Sequence, residues 1–307
     1  MQNPYNDPYG QIPENDEAAK KRKEEDEKKR FRLGMRKKAL EIICYVIGAG
    51  AFSIFIRWLQ LMLAFNDDGL VDGSIFNALV ILIVFAAGYI FLRFTDSFRA
   101  GRYYVPDDFY KAFANPGKLY KLIRWALGLI MTGGALLLLI SSETDKNGGF
   151  YRVLALAGAV SGLAYPLLLT SANKPRAPRL GLSCFCAFMP VLMFCIWLIT
   201  CYKVNSINSV MWDYAPEAAA VIASIIAFFR MAGYPFSSPN CWRSMFFAML
   251  ASTLDLMVLA DSRYIGQQLM FFAAAMMLAL YVWLMICNME RREAPEKEQP
   301  NDGFERL

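Results

Sequence analysis

The sequence predicts an all-α, polytopic transmembrane helix bundle of about eight spans, and three observations support this prediction. Hydrophobic residues make up 56% of the 307-residue chain. Several stretches run for 18 or more residues without a charge, and each can cross a hydrocarbon layer of roughly 30 Å; examples are Ile75–Leu92, Leu180–Tyr202 and Gly266–Asn288. The basic residues fall in alternate connections between such stretches, the pattern that orients membrane spans.

The predicted spans follow one another through short polar connections. Each is apolar on all sides, whereas a helix of a soluble domain has one polar face. In chain order they are residues 39–65, 75–95, 122–141, 151–171, 180–201, 214–234, 241–260 and 266–288.

The distribution of Lys and Arg predicts the orientation. Connections on one side carry 27 of the 32 basic residues and those on the other side carry 4, while Arg57 lies inside the first span. Because basic connections stay in the cytoplasm, we expect an integral protein of the plasma (inner) membrane with cytoplasmic N and C termini.

Four segments are predicted along the chain. Residues 1–38 form a charged cytoplasmic tail, residues 39–171 and 172–288 form two four-span halves, and residues 289–307 form a disordered cytoplasmic tail. Two halves with an even number of spans would share one orientation, as parallel repeats do. The repeat is a hypothesis, because any two hydrophobic hairpins resemble each other.

Two polar segments contain predicted helices. In the N-terminal tail, residues 1–14 are predicted to be disordered, and a charged helix begins near Asn15 and leads into the first span. That helix fixes orientation; alternatively, it contacts anionic lipid headgroups or a protein partner. Residues 106–113 predict a short helix with Phe109, Tyr110 and Phe113 at the headgroup boundary.

Small residues at helical spacing predict close helix crossings within the bundle. The pattern occurs at Gly158-x-x-x-Gly162 and at Gly48-Ala49-Gly50.

Three charged residues inside spans are the candidate site residues: Arg57, Glu217 and Asp255. A charge at the bilayer centre costs about 2.5–3.5 kcal/mol on insertion scales, so such residues often mark functional sites. We expect Arg57 to pair with Asp255 or Glu217 in a polar cavity. Further lining residues would be Asn77, Thr253, Gln267 and Gln268.

Each candidate also has a purely structural interpretation. Glu217 follows Pro216, so its carboxylate would favour the positive end of a helix. The long side chain of Arg57 can extend towards the membrane interface. Asp255 has a short side chain, so a charge partner or a bound proton would be expected.

The composition excludes several chemistries. The chain has no histidine, which removes His-ligated metals and His-based nucleophile pairs. Its seven cysteines form no metal-ligand pattern and predict apolar packing without a disulfide framework. No phosphate loop, dinucleotide fingerprint or nucleophile elbow occurs. We therefore expect no cofactor, no metal and no nucleic-acid partner, and we favour a protein that is not an enzyme. The acidic segment Asn66–Gly73 is predicted to be a solvated turn.

Two functional hypotheses remain. The first is a permease-like or small-solute-binding membrane protein with its site near the three intramembrane charges. The second is a membrane-embedded assembly or regulatory subunit that engages a partner through its cytoplasmic face.

Overall fold

The computed structural model confirms a multi-span helical membrane protein. It describes residues 14–63, 74–115, 117–143, 145–173, 180–206 and 210–291, and eight of the helices within these ranges are long and apolar enough to cross a membrane. The helices are α1 (Glu14–Leu63), α2 (Ser74–Ala100), α3 (Phe109–Phe113), α4 (Lys118–Ser141), α5 (Gly148–Ser171), α6 (Leu180–Val204), α7 (Met211–Ala232), α8 (Cys241–Met257) and α9 (Ile265–Cys287). Two short strands are β1 (Tyr103–Tyr104) and β2 (Glu290–Arg291). The predicted disordered segment 1–14, apart from Glu14, and the predicted acidic turn lie outside the described residues.

The charged N-terminal segment and the first span form one continuous helix. Helix α1 has 50 residues and is about 75 Å long, far more than the bilayer requires. It begins at Glu14, next to the predicted start at Asn15. Residues 22–30 are exposed along its first part. The helix therefore extends well beyond the apolar segment at the end of the bundle that carries most basic residues, called here the basic end.

Helix α9 occupies the middle of the bundle. Its neighbours include α4, α8 and α1, and its small residues Ala273, Ala274 and Ala275 are fully buried. Helices α4 to α8 pack in sequence, and the α1–α2 hairpin packs against α8. The division into two four-span halves remains a prediction.

Glycines allow the tightest helix crossings. A Cβ atom on Gly162 of α5 would meet the backbone of Gly128 and Thr132 in α4, and one on Gly158 would meet Met270. The predicted crossing at Gly158-x-x-x-Gly162 is thus confirmed. In the other predicted string, Gly50 lies against Leu256, but the prediction for Gly48 is wrong because its position faces open space.

The connections at the basic end fold back onto the bundle. Strands β1 and β2 pair in antiparallel register, and Met289 is buried, so the predicted disorder of the C-terminal tail is wrong for residues 289–291; residues 292–307 lie outside the described residues. Helix α3 confirms the predicted short helix, with Asp108 capping it by accepting the N–H of Tyr110.

The predicted headgroup position is wrong for Phe109 and Phe113, whereas for Tyr110, which is half-buried, it stays a prediction. Both phenylalanine rings are buried, and Phe113 contacts Tyr234 and Tyr281 edge to face. The connection folds inward, so the two rings pack into the bundle rather than at its rim.

Candidate functional site

The site lies at the distal end, opposite the basic end, where α8 passes into α9. Helix α8 ends in a 3₁₀ turn, Val258–Ala260, and Asp261 then adopts an extended backbone conformation. Only the four residues 261–264 separate this turn from α9. Such a short connection keeps the side chains of Asp261 and Arg263 against the bundle instead of releasing them into water.

Arg57 forms a buried ion pair with Asp261. Its Nε lies 2.7 Å from Oδ1 of Asp261, and its side chain is completely buried. Its Nη1 donates to Gln60 Oε1 at 2.7 Å, and Gln60 donates in turn to Asn77 on α2. Its Nη2 donates to the carbonyl of Asp213. A buried guanidinium is stable only with such partners, and these contacts fasten α1 to α2, α7 and the α8–α9 turn.

A second ion pair joins Glu217 to Arg263. Arg263 Nη1 lies 2.6 Å from Glu217 Oε2, and Nη2 lies 3.2 Å from Asp261 Oδ2. Burial lowers the pKa of Arg263, but the carboxylates of Glu217 and Asp261 raise it, and the net result is a raised pKa. The two arginines and two carboxylates thus form one chain of alternating charge, Arg57–Asp261–Arg263–Glu217, called here the ionic chain.

Glu217 is further held by donors from α6. Trp197 Nε1 donates to its Oε1 at 2.9 Å, and the Cys201 thiol donates to its Oε2 at 3.3 Å. Because α7 begins at Met211, Glu217 lies in the second turn rather than the first. Its binding partners therefore come from neighbouring elements and not from the helix end that the sequence suggested.

A small, partly open cavity borders this end of the ionic chain. Its volume is about 40 Å³, room for about three water molecules. Polar lining residues come from helices α5, α6, α7 and α9 and from the connections that follow α6 and precede α9: Tyr151, Thr200, Asn205, Glu217, Arg263 and Gln267. At its side, the Tyr264 hydroxyl donates to Asp145 at 2.7 Å, and the pKa of Asp145 is lowered by the Asn147 N–H and by this hydroxyl.

Asp255 lies apart from the ionic chain. Its carboxyl group is fully buried between α7 and α8, with the Ser224 hydroxyl 2.9 and 2.8 Å from its two oxygens. Among the described residues, no cation lies within ion-pair distance of it. It is not a lining residue of the cavity beside Glu217.

The structure thus brings two of the three predicted site residues into one network. The predicted pairing of Arg57 with Asp255 or Glu217 is wrong, because the Arg57 guanidinium forms its ion pair with Asp261 instead. Glu217 joins the network through Arg263. Whether these residues form a functional site remains a prediction.

The predicted lining residues divide in a similar way. Gln267 lines the cavity, and Gln268 donates to the carbonyl of Asp261. Asn77 belongs to the hydrogen bonds around Arg57, whereas Thr253 donates to Met249 within its own helix.

Removing the partner of Asp255 is expected to destabilise the protein. Ser224→Ala leaves a buried carboxyl group without its hydroxyl partner, which should cost about 1–3 kcal/mol. Ser161→Ala is the matched control, since the buried Ser161 hydroxyl has no partner among the described residues. Thermal unfolding in detergent should show a lower midpoint for Ser224→Ala only, and equal midpoints would contradict this role of Ser224.

Fold and site together define a polytopic α-helical membrane protein with a buried ionic chain at one end of its bundle. No protein family, no curated protein and no solved structure matches the chain.

Proposed function

We propose that this protein binds a small polar solute at the Glu217–Arg263 pair and works as a permease-like membrane protein. The observation that carries this proposal is a buried chain of four charges beside a partly open polar cavity. Buried ion pairs are costly, and replacing one with apolar residues often stabilises a protein. Stability alone is therefore a weak reason for such a chain, and polar groups within membrane bundles commonly contact a solute.

The charge balance of the pair favours a zwitterionic solute. If Glu217 and Arg263 separate, Glu217 keeps only the neutral donors Trp197 and Cys201, and Arg263 keeps one of its two carboxylates, that of Asp261, in a poorly hydrated place. A cation or an anion would satisfy only one of them, whereas a zwitterion supplies an ammonium group to Glu217 and a carboxylate to Arg263. Arg263 Nε has no hydrogen-bond partner among the described residues, so the guanidinium has a donor to spare for a carboxylate.

The cavity is too small for a solute, so the Glu217–Arg263 pair must open when a solute binds. Space for about three water molecules does not hold a solute while Arg263 and Glu217 remain 2.6 Å apart. Arg263 lies in the short α8–α9 turn and is partly exposed, whereas Arg57 and Asp261 are almost fully buried. We therefore expect Arg263 to move and the Arg57–Asp261 pair to stay fixed.

The test is ligand-induced stabilisation of the full chain in lipid nanodiscs. Glycine, propionate and ethylammonium are compared as a zwitterion, an anion and a cation at matched ionic strength. At a hundredfold excess over its Kd, a ligand of the folded state stabilises it by about 2.7 kcal/mol. We expect glycine to raise the unfolding temperature most.

Variants of the ion pair test whether glycine stabilises the protein by binding at Glu217 and Arg263. Glu217→Gln and Arg263→Gln should abolish stabilisation by glycine, whereas Glu143→Gln, an exposed carboxylate at the same end, should retain it. No stabilisation of the wild type by any of the three probes, or full stabilisation of Glu217→Gln, would refute the proposal.

The assembly or regulatory subunit remains the alternative. The feature in its favour is the exposed first part of α1, which extends beyond the apolar segment and offers a surface to a protein partner.

A further inference from the structure

The first part of α1 changes from mixed charge to purely basic as it approaches the apolar segment. Between residues 28 and 38 it carries seven cations and no carboxylate, and all seven side chains are exposed: Lys28, Lys29, Arg30, Arg32, Arg36, Lys37 and Lys38. One of them, Lys29, lies 3.9 Å from Asp26. The others have no carboxylate within ion-pair distance among the described residues.

Helix α2 adds two cations at the same level. The rings of Tyr45 and Phe94 lie 5.3 Å apart and hold α1 beside α2 at this end. Arg93 and Arg99 on α2 are exposed. The seven α1 cations, Arg93 and Arg99 are called here the basic collar.

We infer that the basic collar binds the headgroups of anionic phospholipids. Below it, the same two helices expose large apolar side chains suited to acyl chains, such as Leu40 and Tyr45 on α1 and Leu92 on α2. A lipid lying against this surface places its phosphate at the level of the collar. Each Lys or Arg near an anionic membrane surface strengthens the electrostatic attraction between the protein and that surface, and this attraction fades within a Debye length.

Acidic residues near the basic collar reduce this attraction without cancelling it, because its nine cations outnumber the two exposed carboxylates at the same level, Glu41 on α1 and Asp96 on α2. Residues 32–38 span about 9 Å of helix, roughly one Debye length at physiological salt. Along the helix, the acidic run Glu24–Glu27 ends about 8 Å from Arg32 and about 16 Å from Lys38, so it weakens the attraction of the first collar cations more than that of the cations nearest the apolar segment. The collar therefore acts on headgroups as a net positive surface, although the whole exposed segment has mixed charge.

The test measures lipid selectivity of the full chain by electron spin resonance of spin-labelled lipids in reconstituted membranes. Phosphatidylglycerol should associate with the protein several-fold more strongly than phosphatidylcholine. Each cation that is removed should weaken the preference for phosphatidylglycerol by roughly fivefold at most. We therefore expect the triple variant Arg32→Gln, Arg36→Gln and Lys37→Gln to abolish the preference. The matched control replaces Glu24, Glu25 and Glu27 with glutamine and should retain it.

A second measurement does not depend on the variants inserting correctly. Raising salt from about 0.05 to about 0.5 M should reduce the preference of the wild type, because screening shortens the reach of the collar. Equal association of the two lipids, or a preference that ignores salt, would overturn the inference. So would a photo-crosslinker at Gly34 that forms discrete protein adducts and no lipid adducts in native membranes. Because the collar and the ionic chain lie at opposite ends, this result does not depend on the proposed solute.

Discussion

Asp261→Ala is expected to destabilise the protein by about 3–5 kcal/mol, the cost of breaking a buried ion pair by removing one partner. Arg57 is completely buried and its Nε lies 2.7 Å from Asp261. Without this carboxylate, the guanidinium keeps only neutral partners, Gln60 and the Asp213 carbonyl. Reversible unfolding in mixed detergent micelles would measure the loss.

The compensating double variant separates charge from packing. Arg57→Met combined with Asp261→Leu replaces both ions with apolar groups, so its stability should return close to that of the wild type or exceed it. Arg152→Gln, an exposed cation at the same end, should change stability by less than about 0.5 kcal/mol. If Asp261→Ala were as stable as Arg152→Gln, the ion pair would not exist as described.

Gly134→Ala is expected to be the second most damaging change, at about 1–3 kcal/mol for overpacking. An added Cβ would lie 2.8 Å from the Gly266 carbonyl oxygen and 2.9 Å from Leu269 Cβ. The backbone of Gly266 is in turn pressed against α4, so neither helix can yield without shifting the crossing of α4 and α9. Because α9 also packs against α8 and α1, a shift of α9 would disturb the packing of those helices as well.

The neighbouring glycine gives the control for that experiment. Nothing lies within 4 Å of a Cβ added to Gly133, so Gly133→Ala should stabilise α4 by up to about 1 kcal/mol through helix propensity. The two alanine variants differ by one position on one helix. Midpoints of thermal unfolding that shift in the same direction would argue against the close crossing of α4 and α9.

The spans could be predicted from sequence because membrane insertion depends on local composition. A run such as Leu180–Tyr202 must cross or be buried whatever its neighbours do, and its charge-free length is visible without a structure. The continuous α1 confirms the predicted charged helix that leads into the first span. The change from charged to apolar residues near Ala39 is a change of surroundings, and nothing in the helix geometry requires a break there.

The site was only partly predictable, for a physical reason. Arg57 and Glu217 stand out because each is a charge among apolar residues. Asp261 and Arg263 sit between two spans and resemble an ordinary solvated connection. Asp261 and Arg263 join the ionic chain because the turn is short and because α1 packs against α8. Both are properties of the assembled bundle and not of a local sequence pattern.

The most direct test of the proposed solute site is the distance between the Arg263 guanidinium and the Glu217 carboxylate. This is the one Arg–Glu ion pair among the described residues, so arginine labelled with ¹⁵N only in the guanidinium group, combined with glutamate labelled with ¹³C only in the side-chain carboxylate, should report it by solid-state NMR dipolar dephasing. We expect strong dephasing in the solute-free protein, none in Glu217→Gln, and loss of the signal when glycine saturates the site. Dephasing that persists at saturating glycine, or that is absent from the solute-free protein, would contradict the account.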